Sequence, residues 1–182
     1  MNTPSLSDTP VRLNSRYITV LPDLALSITW TPSGIHHISF HSPRAGIHAV
    51  TDSHLPTFAS TTFTLLHTYF HGTPTSFSTI PLDIAPATPF QHSVWKACRL
   101  IPWGTTRSYR WIAHLIGKPR AARAVGTALG KNPVPIIIPC HRVLRTDGSL
   151  AGFSAGLSRK RTLLHLENIT QTKSPHKSPP RA

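Results

Sequence analysis

Cys140, His141 and Arg142 stand side by side in the run Pro139-Cys140-His141-Arg142-Val143, directly after the apolar stretch Ile136-Ile137-Ile138. A free thiol of pKa about 8.5 is barely ionised at neutral pH, so it becomes a useful nucleophile only where a base or a positive charge raises its thiolate fraction. The sequence supplies both kinds of neighbour in adjacent positions. The β-branched run bracketed by Pro135 and Pro139 predicts one short buried strand that delivers these three side chains at its end. The second cysteine, Cys98, shares a helical stripe with Phe90, Val94 and Ile101, where a thiol without a charged neighbour is inert core filler. Two cysteines exclude a disulfide-dense scaffold and a four-cysteine zinc site, and they suit a reducing compartment.

The charge distribution indicates what such a thiol would meet. The chain carries 19 Lys+Arg against 6 Asp+Glu, a net +13. Residues 1–89 have three basic and four acidic side chains, whereas residues 90–182 have sixteen basic against two acidic. Such a one-sided excess is the electrostatic footprint of a polyanion binder, with nucleic acid the preferred partner over an anionic membrane. No early apolar core of a secretory leader is visible, and no run approaches the ~18 apolar residues of a membrane span. The expectation is a soluble protein of the cytoplasm or nucleus, neither secreted nor membrane-bound.

The elements that must position the thiol read in order. Met1–Ser15 is a loose Ser/Thr/Pro-rich arm. Segments 16–21, 25–30 and 35–40 have strand composition, with Thr31-Pro32-Ser33-Gly34 as a turn signal, and together predict a β-meander. His36, His37, His41 and His48 cluster there; with no cysteine or carboxylate pair at ligand spacing, surface histidines are favoured over a metal site. Segment 56–70 predicts a helix with Phe63, Leu66 and Phe70 on one face, and 72–87 reads as a linker, with a domain boundary near residue 86. Thr88-Pro89-Phe90-Gln91 is a helix start with a capping box, running to about Ile101. Segments 108–116 and 120–130, joined through Gly117-Lys118-Pro119, predict a helix-turn-helix. The exposed face of the second helix holds Ala121, Ala122, Ala124 and Gly126, with Arg123 the one long side chain among them. Small residues admit close approach of another surface, into which the arginine would project; Lys118, Arg120 and Lys131 on either side favour nucleic acid over a packed core. Gly152–Gly156 is a flexible loop, Ser158 a candidate cap for a helix over 159–168, and residues 170–182 a disordered basic tail.

Thr88–Glu167 resembles the catalytic domain of the O6-alkylguanine-DNA alkyltransferases, the methylated-DNA–protein-cysteine methyltransferases. The resemblance is carried by Asn132-Pro133-Val134-Pro135-Ile136 and Pro139-Cys140-His141-Arg142-Val143, with Ser108-Tyr109, Ala121-Ala122-Arg123-Ala124-Val125-Gly126 and Leu163-Leu164…Glu167 in the family's order. It implies an α/β N-terminal domain over 1–86, ribonuclease-H-like. It also implies a mostly α catalytic DNA-binding domain over 87–169 with a winged-helix-like helix-turn-helix, followed by the tail. By the same resemblance Cys140 accepts the alkyl group, His141 takes the thiol proton through a water, Glu167 orients the imidazole, Tyr109 donates toward guanine N3 and Asn132 braces the reactive turn. A strand at residues 140 and 141 would point the two side chains to opposite faces, leaving room for that water. The backbone near Cys140 and Val143, with Ser154, would bind the guanine edge; Phe153, in the same loop, stands where many members have Tyr, and Ala155 where Gly is common. Arg123 would fill the space left by a flipped base, while Ala121, Ala122, Ala124, Gly126 and Arg120 face the minor groove.

The implied function is direct reversal of O6-alkylguanine, and of O4-alkylthymine, in double-stranded DNA. It is a single-turnover reaction on a monomer, with no cofactor and no metal, and with cooperative assembly on DNA left open. The alternative, a non-catalytic alkyltransferase-like lesion binder, lacks the acceptor cysteine that is present here. A cysteine hydrolase normally brings its histidine from a distant segment.

Overall fold

The computed structural model describes residues 13–42, 55–84 and 86–169. His48, most of the N-terminal arm and the basic tail lie outside the described residues. The described residues form an α/β fold with five helices and a three-stranded antiparallel sheet. The sheet is β1 (Asn14–Leu21), β2 (Leu24–Thr31) and β3 (Gly34–His41) in sequential order. Two-residue loops, Pro22-Asp23 and Pro32-Ser33, reverse the chain between them. Ile28 and Ile38 pair across β2 and β3 and are both buried.

Helix α1 (Thr57–Phe70) packs on this sheet, with Phe63 edge-on to Trp30 at 5.9 Å between ring centroids. The stretch after it, expected as a linker, is a docked strap. Phe77 and Ile80 are buried among its Thr, Ser and Pro residues, and apolar burial of this kind holds a segment without regular structure. Its backbone is paired as well: Ile35 N donates to Pro81 O at 3.0 Å and Asp83 N to Ile35 O at 2.9 Å. Arg99 Nη2 reaches the carbonyls of Phe77, Ser78 and Ile80. One continuous buried core then joins Leu26 and Tyr69 to Cys98, Ile138 and Leu163, so both halves of the chain share it.

Helix α2 (Pro89–Arg99) starts as its sequence predicts, with Thr88 and Gln91 closing a reciprocal capping box around Pro89. Trp95 Nε1 donates to Ala128 O at 2.9 Å, tying α2 to a later helix. A two-residue strand β4 (Arg107–Ser108) leads into α3 (Tyr109–Leu115), whose first turn is capped by the Ser108 hydroxyl. Gly117, at φ 70°, ends α3: Gly117 N donates to His114 O and Lys118 N to Ala113 O, the paired bonds of a glycine stop. Helix α4 (Ala122–Gly130) therefore starts two residues later than expected, with Pro119 left in the turn.

The reactive segment is where the structure departs most from expectation. Segment 135–138 is a tight turn, closed by a bridge between Pro135 and Ile138, and Ile136 sits at φ 76°. A β-branched residue in that region carries strain of roughly 1–3 kcal/mol, held here by burial of Ile136, Ile137 and Ile138. Cys140–Arg142 is a single 3-10 turn, so Cys140 and His141 do not alternate across a strand. Strand geometry requires extended backbone, and the Arg142 N to Pro139 O bond of 2.9 Å curls this one. The short strand β5 (Val143–Leu144) follows and pairs in parallel with β4. Helix α5 spans Leu157–Leu166 from Gly156 (φ 95°), so Ser158 lies in its first turn and caps nothing.

Gly34 allows the strap to close on the sheet. A Cβ there would lie 2.7 Å from Pro81 O, a backbone atom that cannot swing aside. Gly34→Ala is expected to lower unfolding stability by about 1–3 kcal/mol, with Gly130→Ala, whose added Cβ meets nothing, as the matched control in urea unfolding.

Candidate active site

The β4–β5 pairing brings the start of α3 beside the reactive turn and so places Tyr109 near Cys140. Cys140 is buried, 6% exposed. Asn132 fixes its surroundings: its Nδ2 donates to Ile138 O at 2.8 Å and to Cys140 Sγ at 3.1 Å, while its Oδ1 accepts from Val134 N at 3.0 Å. One side chain thus holds both ends of the strained turn and touches the sulfur. Burial pushes the Cys140 thiol up, while the Asn132 hydrogen bond and the charge of Lys160 pull it back in part. The resting group is a thiol that needs a base.

His141, next in sequence, is fully buried. Its Nε2–H donates to Glu167 Oε1 at 2.8 Å, and its Nδ1 is buried with no protein partner. Burial lowers the proton affinity of the imidazole, opposed by Glu167, so the ring is neutral at pH 7 and Nδ1 carries a free lone pair. Glu167 closes α5 and collects donors from several segments. Tyr69 Oη donates to Oε1 at 2.8 Å, Arg142 Nε to Oε2 at 2.9 Å and Gly104 N to Oε2 at 3.2 Å. Burial works to raise the Glu167 pKa, but the hydrogen bonds and charges of His141 and Arg142 outweigh it and hold the carboxyl at about 2.

Tyr109 is half-buried against Gly126 of α4, where an added Cβ would stand 3.6 Å from its ring. Burial, aided by the Cys140 charge, raises its phenol to about 12, so it is a proton donor at neutral pH. Together with Ala122, Arg123, Gly126, Phe153 and Ser154 it lines an open cleft of about 850 Å³. Arg110 and Arg145 give the same cleft two further positive charges. Arg123 and Ala124 are exposed, and Ala121 is half-buried. Arg120 is exposed in the turn before α4 and is absent from the cleft lining. Val143 is buried; its N–H donates to Cys140 O, and its carbonyl accepts from Lys160. Phe153 packs edge-on to Phe40 of β3 at 6.1 Å, so the loop is held against the sheet.

Three residues of this site escaped sequence reasoning. Lys160 is fully buried, with Nζ donating to Val143 O at 2.7 Å and a pKa lowered by burial to about 8. Its signal was present: Lys160, Leu163, Leu164 and Glu167 recur at i, i+3, i+4 and i+7, one buried stripe bounded by two charges. The sequence marks Arg142 only as a nearby charge, whereas it forks onto Glu167 and sends Nη1 to Ile101 O at 2.6 Å. Tyr69 had no local signal, since its partner lies 98 residues away. Among the described residues there is no group of three or more His, Cys, Asp or Glu able to hold a metal, and no helix long and apolar enough to cross a membrane.

The chain resembles known proteins in both sequence and structure. Residues 89–169 match the family described as 6-O-methylguanine DNA methyltransferase, DNA binding domain. A curated methylated-DNA–protein-cysteine methyltransferase of Mycobacterium tuberculosis is 54% identical over 102 residues, 56% of this chain and 61% of that protein. The chain thus aligns with less than two thirds of that relative's length in sequence. In structure the likeness extends further: the crystal structure of Mycobacterium tuberculosis O6-methylguanine methyltransferase superposes with a TM-score of 0.68 and 36% identity, covering 91% of this chain and 97% of that one. The Mycobacterium tuberculosis OGT solved in complex with DNA gives a TM-score of 0.69 at 40% identity, covering 85% and 91%. The chain belongs to the O6-methylguanine-DNA methyltransferase family.

Two outcomes follow from the buried network. Asn132→Ala removes the donor to Sγ and leaves Val134 N unpaired; the thiol pKa should rise further, seen as slower alkylation by iodoacetamide across a pH series, with a stability loss of about 1–3 kcal/mol. Glu167 has a folded pKa depressed from 4.5 to about 2, so its stabilising contribution is present above pH 4.5 and is lost as pH falls through that window. Acid unfolding followed by circular dichroism should show this loss, and Glu167→Gln should flatten it while lowering stability at neutral pH.

Proposed function

We propose that the protein repairs alkylated DNA by direct reversal, moving an alkyl group from guanine O6, and from thymine O4, irreversibly onto Cys140. The observation that carries this reading is a buried thiol contacted by Asn132 and directly followed in sequence by the buried His141–Glu167 pair. His141 Nδ1 takes the thiol proton through a water, and Glu167 holds the ring in that tautomer and stabilises the imidazolium. The thiolate then attacks the alkyl carbon; the C–S bond forms as the C–O6 bond breaks, and the electron pair returns to the purine. Tyr109 delivers a proton toward N3, which its pKa of about 12 permits because the phenol is still protonated at pH 7. The product is a thioether, and a thiolate is a poor leaving group from an alkyl carbon, so each molecule acts once.

The partner is duplex DNA, and the target base must leave the stack before the thiol reaches it. In this reading α3 and α4 form a winged-helix-like helix-turn-helix whose second helix lies in the minor groove. Its Ala121, Ala122, Ala124 and Gly126 allow close approach, and Arg123 occupies the vacated stack, with Arg120 on a phosphate. Ser154 and the backbone at Cys140 and Val143 hold the flipped base under Phe153. The N-terminal half, to about residue 86, is a ribonuclease-H-like domain that supports residues 87–169; the protein works as a monomer in the cytoplasm or nucleus. Support comes from the cleft that Arg123, Tyr109 and Ser154 share and from the DNA-bound relative. A lesion sensor without chemistry has no use for the thiol and the base beside it.

Incubation with an oligonucleotide bearing O6-methylguanine should add one methyl group to Cys140 by mass spectrometry and nothing to Cys140→Ser; binding of the lesion without mass change would refute the transfer. Arg123→Ala should lose at least tenfold in transfer rate on duplex DNA and react near-normally with free O6-benzylguanine. Equal losses on both would refute its role in flipping.

A further inference from the structure

Tyr69 belongs to α1, in the half of the chain that carries no proposed chemistry, yet its hydroxyl ends inside the active site. The residue is fully buried, its ring enclosed by Trp103 at 5.0 Å and Phe77 at 6.0 Å. Its hydroxyl donates to Glu167 Oε1, the same oxygen that receives His141 Nε2–H, and its own oxygen lies 3.3 Å from Nε2. Ring packing alone could be met by phenylalanine, which would avoid burying a hydroxyl. Once buried, the hydroxyl is aimed at the one carboxylate oxygen that the imidazole uses.

We infer that Tyr69 is a positioning residue of the transfer reaction, supplied by the N-terminal half, which sets the proton affinity of His141 by sharing Glu167 Oε1 with it. This rests on the reaction proposed above. Negative charge on Oε1 stabilises the imidazolium, and every other donor to that oxygen draws charge away from the His141 bond. Tyr69 does so directly, and Arg142 does so from the side through Nε and Nη2. The remaining charged or titratable groups around the imidazole are Lys160 of α5, whose charge also disfavours imidazolium, and Cys140 itself. The phenol cannot replace Glu167 as the charged partner, because burial and the Glu167 charge push its pKa well above 10.

The sign of the effect is defined. Tyr69→Phe keeps the ring and removes one donor from Oε1, so the carboxylate binds Nε2–H more strongly and His141 protonates at higher pH. The longer 3.3 Å contact, in which the tyrosine oxygen accepts from Nε2–H, works the other way but is the weaker of the two. The acid limb of the single-turnover transfer rate, measured on O6-methylguanine duplex from pH 5 to 9, should move up by on the order of half a unit to one unit. Incorporation of 3-fluorotyrosine at position 69, a better donor of the same shape, should move it down. The His141 imidazole, titrated by NMR in the DNA-free protein, should shift in the same directions.

A uniform loss of rate with the limb and the imidazole titration unmoved would reduce Tyr69 to a packing residue and overturn the inference, as would a shift to lower pH in Tyr69→Phe. If the wild-type protein transfers no methyl group, the proposed function fails, and the imidazole titration alone then decides the coupling: a rise in Tyr69→Phe supports it, and an unmoved imidazole overturns it.

Discussion

A single buried carboxylate holds the site together. Glu167 is 1% exposed and receives hydrogen bonds from α1, from the loop after α2 and from two successive residues of the reactive turn, while it closes α5 itself. Burying a lone carboxylate is prohibitive, so the segments that carry its donors must arrive together. That requirement couples packing to chemistry. The donors from Tyr69 and Arg142 that make burial of the charge tolerable converge on the same carboxylate oxygen that His141 Nε2–H uses.

Around this centre the other buried polar groups are also paired in ways that leave the thiol at rest. Burial favours the neutral forms of Cys140 and His141, which opposes ionisation of the resting thiol, while the charge of Lys160 offsets this only in part. A thiol held in this way ionises only where a base takes its proton. Asn132 and the left-handed Ile136 position the sulfur without activating it fully. The strain at Ile136 persists because three buried isoleucines and the Asn132 bonds leave the turn no other conformation.

The N-terminal half takes part at three points. Ile38 of β3 donates to Pro133 O at 2.9 Å, steadying the approach to the reactive turn; Phe40 packs on Phe153 of the cleft loop; and Tyr69 reaches Glu167. Each contact touches a different wall of the site. One shared buried core runs behind all three contacts and ties the sheet and α1 to the reactive turn.

The sequence alone determined the elements whose signals are local: the meander with its Pro-Ser turn, the capping box at Thr88, the glycine stop after α3, the bare face of α4 and the cysteine with its neighbouring histidine. Adjacent residues and helical periodicity carry such features, because backbone sterics and capping act over a few positions. The tertiary structure decided the rest. An Ile-Ile-Ile run that reads as a strand became a turn, because Asn132 and the burial of the isoleucines outweigh β propensity. A Thr/Ser/Pro stretch became a docked strap because Phe77 and Ile80 found a core to enter. Tyr69 and Arg142 became partners of Glu167 although nothing near them in sequence announces it. A buried charge recruits its donors by proximity in space, and that information exists only once the chain has folded.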